Sequence, residues 1–208
     1  MNDTFPQLIP VFPLSGVIYF PKTNLPLNIF EKRYLDLIND SLKKDKLLGM
    51  VQSKNDGEKV YNIGCLGKIN DFRKTGDGRI VVNLTGLTRF EIVKEINNTK
   101  LYREFEVNYD KFKNDLFSNK PINDEKVKIL FNNSKIFLNK YGIILNWKEL
   151  EKLELNQRIN TLAMITPISN EEKQKLLETI SLEEKIQTML DITEFYLHET
   201  AFSQNTLQ

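Results

Sequence analysis

Residues Ile63–Ile96 read IGCLGKINDFRKTGDGRIVVNLTGLTRFEIVKEI. Two β-rich arms, Ile63 to Thr75 and Arg79 to Ile96, flank Gly76-Asp77-Gly78, which supplies the positive-φ residues a tight reversal needs. The pattern predicts one long hairpin. Gly86 interrupts the run Val81-Val82-Asn83-Leu84-Thr85, and a glycine inside a strand signals a bulge or a close backbone approach. Working outward, Leu8-Ile9-Pro10-Val11-Phe12-Pro13-Leu14 is extended, but its two prolines cannot donate to a ladder, so it reads as an edge or bulged strand. Leu25 to Phe30 and Leu47 to Gln52 read as further strands, and Leu101 to Phe112 as the last. Between them, Tyr34, Leu35, Ile38 and Leu42 recur at helical spacing, which predicts a helix from Glu31 to about Lys44.

Past Asn114 the period changes. Val127, Leu130, Phe131, Phe137, Leu138 and Tyr141 form one helical stripe. Leu155, Ile159, Leu162 and Ala163 form a second, ended by Pro167. Ser169 with Glu172, and Ser181 with Glu184, are capping boxes that open two more helices. The reading is α+β: a β domain over residues 1–115 and a bundle of about four helices over residues 116–208. The chain has 208 residues, 40% hydrophobic and 27% charged, which is ample for a packed core. Lys+Arg 29 against Asp+Glu 28 gives a net charge of +1, the balance of a chain not built mainly to coat nucleic acid or an anionic membrane. The start lacks a secretory leader and no apolar run is long enough to span a bilayer, so the expected setting is the cytoplasm.

One cysteine, Cys65, and one histidine, His198, leave little for catalysis or metal binding. A structural zinc site needs about four such ligands. Cys65 lies in an apolar strand and reads as an inert buried thiol, and His198 as a solvated helix residue. No phosphate loop survives: Asn62 stands where its first glycine belongs and Ile69 where its Ser/Thr belongs. Ser134 and Lys135 are adjacent on a helix and diverge by about 100°, so they form no dyad. No cofactor, metal or catalytic residue is expected.

Taken together, Leu8 to Leu14, Val17-Ile18-Tyr19-Phe20-Pro21 and Leu25-Pro26-Leu27-Asn28-Ile29-Phe30-Glu31-x-Arg33-Tyr34 resemble the opening of the Lon protease N-terminal domain. The ending Phe30-Glu31-x-Arg33-Tyr34 is most similar to stand-alone bacterial Lon-domain proteins. The resemblance continues through Ile63 to Ile69, Gly76 to Arg79, Leu84 to Phe90, Ser169 to Glu178 and Leu182 to Lys185, in family order. It implies a PUA-like β pseudo-barrel followed by a C-terminal helical bundle, and a substrate-binding module for polypeptide of the peptidase S16 family. Lon itself continues into an ATPase and a Ser-Lys protease that have no counterpart in these residues, so an enzyme is not expected. The implied partners are unfolded or partly folded polypeptides, with a protease or chaperone alongside, in protein quality control.

Two site readings follow. A polypeptide-binding surface needs exposed apolar groups. Val11, Phe12, Tyr19 and Phe20 are the candidates, because a proline-punctuated segment cannot be fully sheet-paired. Glu31 and Lys32 match the start of an acidic-basic cluster that Lon uses at its first helix. Leu35 replaces the later Arg of that cluster, and Arg33 compensates in part. The alternative for these charges is local pairing at a helix start. The second reading is RNA binding through the basic hairpin tip, Arg73, Lys74 and Arg79, with Lys68, Arg89 and Phe72 nearby. Against it, Asp71 and Asp77 can neutralise the tip, so nucleic acid is the less favoured partner.

Overall fold

The computed structural model describes residues 5–54, 59–116, 122 and 124–205, with side chains as far as His198. The chain divides into two compact units, Met1–Phe117 and Ser118–Gln208.

The first unit holds six strands: β1 (Leu8–Leu14), β2 (Asn24–Ile29), β3 (Leu47–Gln52), β4 (Ile63–Lys74), β5 (Ile80–Ile96) and β6 (Arg103–Asn108). Helix α1 (Lys32–Leu42) lies between β2 and β3. The sheet order is β2-β5-β4-β3-β1-β6, and β5 also pairs with β6. That last pairing closes β5-β4-β3-β1-β6 into a ring and leaves β2 outside it. The closure depends on the length of β5. Its first part, Ile80–Thr85, pairs with β2 and β4, while its last part, Glu91–Ile96, reaches β6. At about 3.3 Å per residue those two ends lie some 50 Å apart along the strand. Ile9, Val11, Leu47, Val51, Leu66, Phe90, Phe105 and Val107 form a buried cluster inside the ring.

Gly86 carries both devices expected of it. The β4–β5 register slips between Leu66↔Thr88 and Gly67↔Gly86, so Leu87 is the extra, bulged residue. The Lys22 N–H donates to the Gly86 carbonyl (2.9 Å), and the Gly86 N–H to the Thr23 carbonyl (3.0 Å). A Cβ at Gly86 would lie 2.2 Å from the Phe20 carbonyl oxygen. Only glycine fits there.

Strand β1 is not an edge. It pairs with β6 through Leu8–Val11 and with β3 through Val11–Leu14. The two ladders are offset along the strand. Pro10 meets only β6 and Pro13 only β3, so neither proline is flanked by a ladder on both sides. The last strand is shorter than its pattern suggested, because Asp110–Leu116 coils into 3-10 turns that bury Phe112.

The second unit holds α2 (Asp124–Lys140), α3 (Trp147–Glu151), α4 (Leu155–Ile165), α5 (Asn170–Glu178) and α6 (Leu182–Asn205). That is one helix more than expected, since the five residues of α3 are too few to show a period. Leu130, Phe137 and Leu138 of α2 are buried, and Phe137 meets Tyr196 of α6 at 5.4 Å. The box at Ser169 and Glu172 forms in both directions. At Ser181 only half of it does: the serine accepts from the Glu184 N–H, while the Glu184 carboxylate reaches back to the Ile180 N–H.

Candidate functional site

Helix α1 begins where Glu31, in extended conformation, accepts the Tyr34 and Leu35 N–H groups through its carbonyl. The helix is amphipathic and buries Tyr34, Leu37, Ile38 and Ser41. This inward face stacks the Tyr34 ring on Phe12 of β1 at 4.0 Å and 24°. Because the Glu31 carboxylate makes no cap to the helix, it is available to Arg33, with which it pairs at 2.9 Å. The Arg33 guanidinium in turn lies 4.5 Å over the Tyr34 ring.

Facing this helix start are the far end of β5 and the beginning of β6. Arg103 grips Glu95 there with two hydrogen bonds of 2.6 and 2.7 Å, its guanidinium 4.9 Å over Phe105. Together these elements enclose an open groove of about 660 Å³, with Phe12, Pro13, Glu31, Arg33, Tyr34 and Arg103 among its walls. Hydrogen bonding to Arg103 holds the Glu95 carboxyl below the usual carboxylate range. Burial raises the Tyr34 phenol, against the opposing pull of Arg33. The groove is thus an aromatic floor between two ion pairs. The two rings offer little surface to it, Phe12 being 6% and Tyr34 7% exposed, and polar groups can exchange with either pair.

Of the candidate residues, Phe12, Glu31 and Arg33 come together in this groove. Lys32 points away and pairs with Asp36 at 3.5 Å. The expected exposure of Val11, Phe12, Tyr19 and Phe20 is corrected: all four are at most 6% exposed. A segment that lacks sheet partners still satisfies its backbone by turning. The Phe20 carbonyl accepts from the Thr23 N–H (3.4 Å) and hydroxyl (2.6 Å), and the same turn drives Phe20 and Tyr19 inward. Tyr19 packs beneath Gly67, where a Cβ would meet its ring at 2.9 Å.

The basic group at the hairpin disperses. Arg79 pairs with Asp77 at 3.0 Å, and a hydrogen bond from the Thr75 hydroxyl lowers the Asp77 carboxyl below its ordinary range. Arg89 is buried against Asp115. Among the described residues, Arg73 and Lys74 are exposed cations on β4 near the tip, and Arg79 is exposed beside Asp77. Cys65 is buried and His198 exposed. Among the described residues no three His, Cys, Asp or Glu side chains cluster as metal ligands, and no helix is long and apolar enough to cross a membrane. Sequence reasoning missed Glu95 and Arg103. Their pairing depends on where the β5–β6 loop ends, which no local pattern encodes.

The first unit is thus a ring of strands closed by one overlong strand, with a groove lined by α1, β1, β5 and β6. The profile of the ATP-dependent protease La (LON) substrate-binding domain matches residues 8–194, and the chain belongs to that family. Lon protease 2 of Myxococcus xanthus is 24% identical over 205 residues, covering 92% of this chain and 24% of its own length. Lon protease of Syntrophus aciditrophicus is 23% identical over 198 residues, 88% of this chain and 24% of its own. The chain therefore spans about a quarter of the length of these curated relatives, and the match lies in their substrate-binding region. Two solved structures share the fold. The Lon N-terminal domain protein from Xanthomonas campestris superposes with a TM-score of 0.67 at 21% identity, covering 88% of this chain and 97% of that one. The N-terminal domain of the Mycobacterium avium complex Lon protease gives 0.61 at 17% identity, covering 90% and 98%.

Proposed function

We propose that the chain is a non-catalytic polypeptide-binding module that recruits unfolded or partly folded proteins in cytoplasmic quality control, with a protease or chaperone as its working partner. The observation that carries this reading is the groove, an aromatic floor of Phe12 and Tyr34 between the Glu31–Arg33 and Glu95–Arg103 pairs, in a chain of the substrate-binding family. Contact with the rings is apolar and tolerates salt.

The test is fluorescence anisotropy of a labelled, permanently unfolded polypeptide at low and moderate salt, with the wild type and with Ser15→Trp. Ser15 is exposed on the groove wall, so an indole there fills the groove without disturbing the core. The expected result is salt-tolerant binding that Ser15→Trp weakens at least about tenfold, with the thermal midpoint unchanged. Binding that is indifferent to Ser15→Trp and to Arg33→Ala overturns the groove. No binding of unfolded chains at all overturns the function.

A further inference from the structure

The ring has no edges, but the hairpin that extends beyond it has two. One is the outer edge of β2 and the other is the end of β4 past Ile69, where β3 no longer follows. β3 pairs with β4 only from Cys65 to Lys68, and the Ile69 N–H makes a last bond to the Lys46 carbonyl. Beyond that point β4 pairs with β5 alone among the described residues.

The direction of the backbone groups follows from the tip. The Thr75 N–H donates to the Arg79 carbonyl (2.9 Å), so Thr75 and the residues in step with it, Arg73 and Asp71, turn toward β5. Phe72 and Lys74 turn their N–H and C=O groups outward. The register of the neighbouring pair agrees. Asn83 opposes Asp71 on one side and Pro26 on the other, and a proline can stand only where no donation to β5 is required. Pro26 therefore sits at the centre of the outer edge of β2 and removes its middle donor. One edge is blocked by proline; the other presents two complete donor–acceptor pairs.

Around this open edge the side chains are basic with one apolar group. Phe72 is 43% exposed. Lys74 lies on the same face, opposite Ile80, and Arg73 on the other, opposite Val81. Both cations are exposed, as is Lys68 further along the strand. Asp71 is the one acid within the open stretch. The edge lies at the start of β5, whereas Glu95 and Arg103 of the groove lie at its far end.

We propose that β4 from Phe72 to Lys74 is a strand-addition site for an extended polypeptide segment in which acidic residues adjoin an apolar one. The incoming strand pairs with the outward groups of Phe72 and Lys74, sets its apolar residue against Phe72, and places a carboxylate beside Lys74 on one face and Arg73 on the other. Main-chain hydrogen bonds supply affinity without demanding a particular sequence, and the cations select for charge. This deepens the polypeptide-binding reading and rests on it, while using a separate surface.

The test uses the full chain and the labelled peptide Ser-Glu-Glu-Val-Thr-Val-Ser, followed by anisotropy and by amide hydrogen exchange. Strand addition protects the Phe72 and Lys74 amides on peptide binding and leaves Arg73, already bonded to β5, unchanged. Phe72→Pro removes one outward donor and no ladder bond, so it weakens the peptide about fivefold or more, while Phe72→Val retains most of the affinity. Arg73→Glu with Lys74→Glu, which leaves the backbone intact should Phe72→Pro fail to fold, abolishes the preference for Glu over Lys in the peptide. Peptide bound without protection of those two amides overturns the proposal, as does binding of an RNA oligomer in its place. Charge reversal that merely makes the protein self-associate, with no peptide binding in the wild type, also overturns it, since the cations then serve only to guard an edge. If unfolded polypeptide still binds through the groove while the acidic peptide does not, the strand-addition site fails and the polypeptide-binding function survives.

Discussion

Asp115→Ala removes one half of a buried ion pair, and its cost can be worked from the contacts. Asp115 accepts three hydrogen bonds from Arg89: from the backbone N–H (2.9 Å), from Nε (2.9 Å) and from Nη2 (2.7 Å). The two side chains are 5% and 10% exposed, and the guanidinium lies 4.2 Å over Phe112. At 2.7 Å and an effective dielectric near 20 the Coulomb attraction is about 6 kcal/mol, and desolvating both ions cancels much of it. The intact pair is therefore close to neutral, whereas half of it is not: Asp115→Ala takes the carboxylate from a buried guanidinium and costs about 3–5 kcal/mol. Arg89→Met with Asp115→Leu removes both charges and takes the acceptor from the Arg89 backbone N–H, a loss of about 1–2 kcal/mol. The assay is urea unfolding of the first unit. Trp147, the one tryptophan of the chain, lies in the second unit and would report on the wrong transition, so amide exchange at Phe90 or the far-ultraviolet β signal is followed instead. With a slope near 1.5 kcal/mol per molar, the single variant lowers the midpoint by about 2–3 M and the double variant by about 1 M. A single substitution costing under about 1 kcal/mol, or a double variant as costly as the sum of the singles, refutes the reasoning.

Gly86→Ala forces a Cβ to within 2.2 Å of the Phe20 carbonyl oxygen and should cost more than about 3 kcal/mol; Gly76→Ala, with nothing within 4 Å, should stay within about 0.5 kcal/mol in the same denaturation series. Acid should reach the groove through Glu95. Its folded-state pKa is depressed by Arg103, so its contribution is complete above the unfolded value of about 4.3 and is lost as pH falls through the lower folded value. With the carboxylate 43% exposed, the effect stays under about 1 kcal/mol. Glu95→Gln should flatten the stability–pH slope below about pH 5, and an unchanged slope would show that the pair carries no stability.

Local chemistry made most of the scaffold legible. The reversal at Gly76-Asp77-Gly78, in which Gly78 and not Gly76 takes positive φ, the interruption at Gly86 and the serine caps are each decided within a few residues, and each appears in the structure. Burial was less legible. Tyr19 and Phe20 looked exposed because Pro21 forbids sheet pairing, but a turn satisfied the same backbone and pointed both rings inward. Pro10 and Pro13 misled for a related reason: two offset partners spare both prolines, and offset is a property of β3 and β6 rather than of β1. The groove was half legible. Glu31 and Arg33 stand two residues apart and pair locally, whereas Glu95 and Arg103 meet only because β5 runs on far enough to reach β6.

That overlong strand explains why groove and open edge coexist in one small unit. A β5 ending near Leu87 would pair with β2 and β4 but never reach β6, leaving β6 and the end of β4 as exposed edges. A β5 beginning near Leu87 would close the ring but lose the arm that carries Phe72, Arg73 and Lys74. The bulge at Leu87, with Gly86 pressed on Phe20, falls at the changeover and bends the strand there. One half is then committed to closing a barrel and shaping the groove at its rim. The other half pairs with β2 and the end of β4, its Ile80, Val82 and Leu84 buried, and its two outer strands are not equivalent, one carrying a proline and the other two cations. Gly86 can therefore be tested for coupling between them: a substitution that perturbs the bend without unfolding the ring should disturb the arm first, visible as faster exchange of the Arg73 amide while the amides of β6 keep their protection.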